Sequence, residues 1–248
     1  MIVGRVIAEN RGELWLDTRQ RVRDLVATVG PDELARSVPA APGRTVRDIV
    51  DQLVTAGQDA LAGDVHPTHV TRSRGAGGTD AELLAAWDRQ AEEVAALVRN
   101  QPRAARLLID LVAHEHDLRD VLGRPGGRDD DAVALAVELL GQDFGRRVQA
   151  AGVPALRMTC EQWGHETGPP PYYAIIVADR FELFRALTGR RSANEVRRWM
   201  WSADPEPYLP YLAVDGALRA TDLNEFDPDV PPEFAERLRT RSWREPVA

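Results

Sequence analysis

The chain has 248 residues, 44% hydrophobic and 28% charged, an ordinary globular composition with length for one large domain or two small ones. Its net charge of −8 disfavours nonspecific nucleic-acid binding, and no apolar run approaches the ~20 residues needed to cross a bilayer. All 31 basic residues are arginine, which excludes a Walker P-loop, a Schiff-base lysine and pyridoxal-phosphate chemistry, and the single cysteine, Cys160, excludes an intramolecular disulfide and a cysteine-based zinc cluster. With no basic-then-apolar N-terminal order of a signal peptide, the expected compartment is the cytoplasm.

The first helix is expected within 9–29, where Val22, Leu25, Val26 and Val29 form an apolar stripe and Gly30-Pro31 stops it. A second begins at Thr45, which with Asp48 resembles a capping box, and buries Val46, Ile49, Val50 and Leu53. Residues 63–78 read as a long polar, glycine-rich loop containing His66 and His69. A third helix starts at a second capping box, Thr79 with Glu82, and turns Leu83, Trp87, Val94 and Leu97 inward. The fourth runs from about 104 to 122 and ends at Gly123, with Pro125 just beyond. Asp129 to Asp131 suit the N-terminus of a fifth, which packs through Val133, Val137, Leu140, Phe144 and Val148.

The period then changes. Residues 155–160 and 172–178 are short β-prone runs, separated by a turn through Gly164, His165 and Gly168-Pro169-Pro170-Pro171. A helix over 179–187 ends at Gly189, Ser192 with Glu195 can cap another, and the Pro-rich tail from Asp204 is expected on the surface. The fold class is therefore α+β, mainly α: a helical bundle over 1–150 and a small α/β domain over 151–248.

The segment richest in chemistry is Asp110-Leu-Val-Ala-His114-Glu-His116-Asp117-Leu-Arg119. Asp110, His114 and Asp117 fall at i, i+4 and i+7, one helix face, beside the apolar set Leu107, Leu111, Leu118 and Leu122. A carboxylate and an imidazole one turn apart ligate a divalent ion if another helix supplies a third donor; a hydrogen-bonded or solvated surface is the plainer use of such a face. His116 points off this face, towards the surface or an interface, and Asp117 with Arg119 reads as a supporting ion pair. Cys160 reads as a small hydrophobe rather than a nucleophile.

Three segments, TVRDIVDQL (45–53), DLVAHEHDLRDVLGRP (110–125) and FELFRALTGRRSANEVRRWMW (181–201), resemble the mycothiol-dependent maleylpyruvate isomerase family of the DinB-like superfamily. The resemblance runs over nearly the whole chain, and HEHDLRxxLGRP and ALTGRRS are of the actinobacterial type. It implies an up-and-down four-helix bundle followed by a small α/β domain. It further implies a divalent, zinc-like metal in the bundle and the cofactor mycothiol, whose thiol isomerises a cis double bond or carries sulfur to an electrophile.

Carried over residue by residue, the family's metal ligands fall on Gln52, Asp110 and His114, with Gln52 where the family has a histidine. Arg44 stands in place of an aromatic residue at the mouth of the site, where it is assigned to the thiol cofactor. Arg190 matches the arginine implied to contact an anionic substrate, and His114 doubles as a catalytic group; capping of the preceding helix's carbonyls is the competing role for Arg190 or Arg191. A neutral side-chain oxygen is a poor zinc donor beside imidazole. Three readings therefore stand: a thiol-dependent isomerase or transferase with a degenerate metal site, a metal-free descendant that uses the cavity for small-molecule binding or another biosynthetic reaction, and a structural or regulatory module without catalysis. The expected partner is a small molecule, with neither nucleic acid nor membrane, and the sequence does not set the oligomeric state.

Overall fold

The computed structural model describes residues 10–65, 78–160, 163–214, 216–223 and 225, so His66 and His69 lie outside the described residues. Contacts divide the chain into two units, 1–135 and 136–248.

The first unit contains α1 (Arg11–Ala27), the short α2 (Pro31–Leu34), α3 (Val46–Leu61), α4 (Asp80–Asn100) and α5 (Ala105–Leu122). α1 packs on α4 and α5, α3 packs on the same two, and α4 touches α5, giving a four-helix bundle. Trp15, Val22, Leu25 and Val26 form the buried stripe of α1. Gly12 brings this helix close to α4: a Cβ there would lie 2.8 Å from the Ala95 carbonyl oxygen.

The helix starts follow local chemistry. The Asp48 amide donates to Thr45 Oγ1 at 3.2 Å, and the Thr45 amide donates back to the Asp48 carboxylate at 2.8 Å. Thr79 and Glu82 repeat the arrangement at α4, with the Thr79 amide 2.7 Å from Glu82 Oε2. Each box satisfies amides that a helix N-terminus leaves without intrahelical partners. α5 ends where Gly123 takes the left-handed conformation, φ 64°, open to glycine without a Cβ penalty.

The division between units falls inside α6 (Asp131–Ala150), at Leu135–Ala136, and the later part of α6 lies against Trp163 and His165 through Gly141 and Gly145. The second unit holds β1 (Leu156–Cys160), β2 (Trp163–Glu166), β3 (Ala174–Val177), α7 (Arg180–Leu187), α8 (Ala193–Arg197), β4 (Met200–Trp201) and α9 (Leu209–Leu212). The strand order is β2-β1-β3-β4. β1 and β3 are parallel, with Met158 opposite Ile176, while β2 and β4 flank them antiparallel.

β2 lies in what the sequence suggested was a turn. Trp163 and His165 stack with ring centroids 5.9 Å apart, and they sit over Gly141 and Gly145 of α6. A Cβ at Gly141 would be 3.0 Å from Trp163, and one at Gly145 would be 2.8 Å from His165 Nε2. Burial therefore pushes the His165 imidazole below its ordinary range, with Glu166 opposing. The start of the tail is core rather than surface wrapping, because Tyr208 and Leu212 are fully buried and Tyr208 stacks on Trp201.

Candidate active site

α5 is interior: every residue from Leu107 to Leu118 is buried. The bundle therefore encloses polar side chains on more than one face of this helix. Gln52 on α3 is 3% exposed, Asp110 5% and His114 4%, so all three expected ligands are inside the first unit, on two helices that pack together.

His114 Nδ1 lies 3.0 Å from Asp117 Oδ2, one turn along the helix. With Asp117 ionised, its carboxylate only accepts, so Nδ1–H is then the donor of this pair and Nε2 the ring nitrogen left as base. Arg106, one turn before Asp110, donates to Asp110 Oδ1 from Nε at 3.1 Å, with Nη2 also at 3.1 Å. The guanidinium thus neutralises the carboxylate that a metal was expected to neutralise.

Behind this pair Glu115, 1% exposed, is held from two sides. Arg21 of α1 donates from Nε and Nη2 at 2.8 and 2.9 Å, and Arg119 from Nε and Nη2 at 3.0 and 2.9 Å. Arg21 also reaches Asp130 at 3.2 Å. Burial works against the Arg21 charge, but Glu115 and Asp130 outweigh it and raise its pKa. Removing one partner of such a triad costs ~3–5 kcal/mol, because a buried charge is left uncompensated.

Two sequence expectations change here. His116 is 4% exposed and buried in the bundle, since the interior position of α5 leaves no solvent face for it. Arg119 pairs with Glu115, not Asp117, whose carboxylate serves His114 instead. Arg106 and Glu115 were missed, although the i, i+4 spacings Arg106–Asp110 and Glu115–Arg119 carry the signal.

The other two expected site residues have local contacts. Arg44 is half-buried, its carbonyl accepts from the Val38 amide at 2.9 Å, and its charge helps hold the Asp48 carboxyl low. Arg190 belongs to the second unit, where its Nη1 donates to the Thr188 carbonyl at 2.7 Å just past α7. That contact is of the helix-capping kind.

The donor set does not fit zinc. One of three donors is a neutral amide oxygen and the one carboxylate is tied to a guanidinium. Among the described residues, no three His, Cys, Asp or Glu side chains come together as a ligand group. Within the bundle, Trp15, Leu53, Gly57, Trp87, Leu107 and Leu111 are among the residues bounding a void of about 10 Å³, room for a single water.

No protein-family model matches the chain, and no curated protein matches it either. Among solved structures, the crystal structure of a histidine-to-alanine mutant of the mycothiol-dependent maleylpyruvate isomerase aligns over 81% of this chain and 95% of that one. The TM-score is 0.50 and the identity 15%, which makes the likeness one of fold.

Proposed function

On a fold shared with the mycothiol-dependent maleylpyruvate isomerase, we propose that this chain performs thiol-dependent isomerase- or transferase-like chemistry without a metal. The substrate is a small electrophile bearing a carboxylate, and mycothiol is the proposed thiol. The observation that carries the reading is the buried His114–Asp117 pair at 3.0 Å. A free thiol ionises near pH ~8.5, and only its thiolate is nucleophilic, so a base is needed at neutral pH. Asp117 holds the imidazole in the tautomer that presents Nε2 as base, the role the acid member plays in catalytic triads.

In the proposed step His114 Nε2 takes the thiol proton and the thiolate adds to the electrophilic carbon of a conjugated double bond, whose π pair moves onto the conjugated carbonyl as an enolate. For an isomerisation, the former double bond, now single, rotates; the enolate collapses to restore the double bond and expel the thiolate, which recovers its proton from the imidazolium. Arg44, in the same unit as His114, is the proposed contact for the cofactor, since a guanidinium stays charged and pairs with carboxylates through two donors.

The neutral amide of Gln52 and the Arg106–Asp110 ion pair, which leave the donor set unfit for zinc, favour a second reading, in which the bundle binds a small molecule or supports a different biosynthetic reaction. Turnover of a cis-configured, conjugated acid by tag-free protein with mycothiol, in the presence of a chelator, separates the two. The proposal expects thiol-dependent turnover that survives chelation and is lost in His114→Ala. Absence of turnover with any thiol, together with thermal stabilisation by small carboxylates, would move the assignment to the second reading.

A further inference from the structure

A second charged centre lies in the other unit and is independent of the His114 reading. Arg185 of α7 has a side chain with no exposure, and that of Arg191, just after α7, is 4% exposed. Between them sits the carboxylate of Glu225, 3% exposed. Arg185 donates from Nε to Oε2 at 3.0 Å and from Nη2 to Oε1, and Arg191 donates from Nη1 to Oε2 at 2.8 Å. Both oxygens of one carboxylate are thus read by two guanidiniums.

The arginines are themselves positioned by the helices. Glu182 takes Arg191 Nε and Nη2 at 2.7 and 2.6 Å, and the Arg190 carbonyl accepts from its Nη1 at 2.9 Å. Burial disfavours the Arg191 charge, yet Glu182, Glu225 and Glu195 more than offset it and raise its pKa. Glu195 in turn caps α8 through the Ser192 amide at 2.8 Å.

Glu225 arrives on a strap that these helices hold at several points. The Arg219 amide donates to the Arg191 carbonyl at 2.9 Å, and the Leu223 amide reaches Glu195 Oε2 at 3.3 Å. Asp222 accepts from Ser192 Oγ and, at 2.9 Å, from Arg198 Nη2. The contacts made by Asp222 and Glu225 are acidic side chains on basic or hydroxyl donors.

We propose that Arg185 and Arg191 form a carboxylate-binding site in the second unit, and that Glu225 is its built-in occupant. The planar, forked donors select a carboxylate over a spherical anion or a neutral amide. A tethered occupant competes at an effective concentration on the order of millimolar, so the site in the intact chain answers only to carboxylates that exceed it.

The test is Glu225→Ala in the full-length chain, which removes the occupant and leaves both arginines. Acetate is expected to raise its Tm saturably, whereas chloride and acetamide at equal concentration do not. The unchanged chain is expected to show no such response to acetate over the same range, and Arg191→Gln in the Glu225→Ala background is expected to weaken it. Equal responses of the variant to acetate and chloride would overturn the proposal. If Glu225→Ala does not fold in chloride buffer, its refolding yield in acetate becomes the measurement. A yield no higher than in chloride of equal ionic strength overturns the proposal in that case.

Discussion

Arg106 approaches the Asp110 carboxylate with Nε and Nη2 both at 3.1 Å, from one helical turn away. A metal at Asp110 would have to displace this cation or sit beside it, and Gln52 offers no charge to help. Zinc affinity of the natural chain is therefore expected to be weak. Gln52→His alone restores an imidazole but leaves the guanidinium in place, so the double change Gln52→His with Arg106→Gln is expected to bind zinc at least ~10-fold more tightly than either single variant, the lower end of the effect of groups that support metal ligands. Titration calorimetry decides; tight stoichiometric binding by the unmodified chain would show that another donor completes the site.

If His114 is the base and Asp117 its orienting partner, Asp117→Asn should lower thiol-dependent turnover by ~10²–10⁴-fold, the range in which general-base catalysis contributes. The same change should cost only ~1–3 kcal/mol of stability, since a buried hydrogen bond is weakened rather than a cavity opened. Measuring turnover and chemical denaturation on the same preparation distinguishes a catalytic pair from a purely structural one. Loss of stability with turnover unchanged would assign the pair to the core alone.

The Thr45 amide is the chief cause that holds the Asp48 carboxyl below its ordinary value of 3.8, ahead of the opposing effect of burial. A group whose folded pKa is depressed stabilises above its unfolded pKa and loses that contribution as pH falls through the folded value. The Tm difference between the natural chain and Asp48→Asn is thus expected to be full at neutral pH and to close below about pH 4. Thr45→Ala, which removes the hydroxyl acceptor, is expected to cost ~1 kcal/mol at neutral pH. A Tm gap for Asp48→Asn that persists to pH 2 would place its origin outside this box.

Gly12→Ala directs a methyl group at the Ala95 backbone carbonyl, with only 2.8 Å available. Backbone cannot swing aside as a side-chain end can, so α1 must shift away from α4. Overpacking of this kind typically costs ~1–3 kcal/mol, against the few tenths to 1 kcal/mol that alanine gains over glycine in a helix interior. Urea denaturation should show a net loss. A stabilised variant would mean that the helix–helix contact yields at no cost.

The helical half was legible because its signals are local. Thr45 with Asp48, Thr79 with Glu82 and Ser192 with Glu195 each form the capping box their spacing announced, and Gly123 adopts the positive φ its position required. β2 was not legible, since Trp-Gly-His-Glu has no strand pattern of its own. It exists because Trp163 and His165 find the glycine-lined side of α6, some 20 residues earlier in the chain. The burial of His116 escaped for a related reason: a polar face implies solvent only if the helix has a solvent side, and α5 has none between Leu107 and Leu118. The polar residues were identified in the sequence, but their pairings depended on Arg106 and Arg21, and the partnership of Arg21 with Glu115 spans 94 positions.

That span bears on how the protein is made. The first helix emerges from the ribosome long before α4 and α5, the two helices against which it packs, have been synthesised. An isolated helix of 17 residues is marginal in water, and this one keeps Arg21 without its buried carboxylate until Glu115 appears. The nascent chain must therefore hold Trp15, Val22 and Leu25 uncovered through most of the translation of the bundle. During that interval its protection from premature association falls to the surrounding arginines and aspartates of the same helix, and to whatever holdase meets it at the exit tunnel.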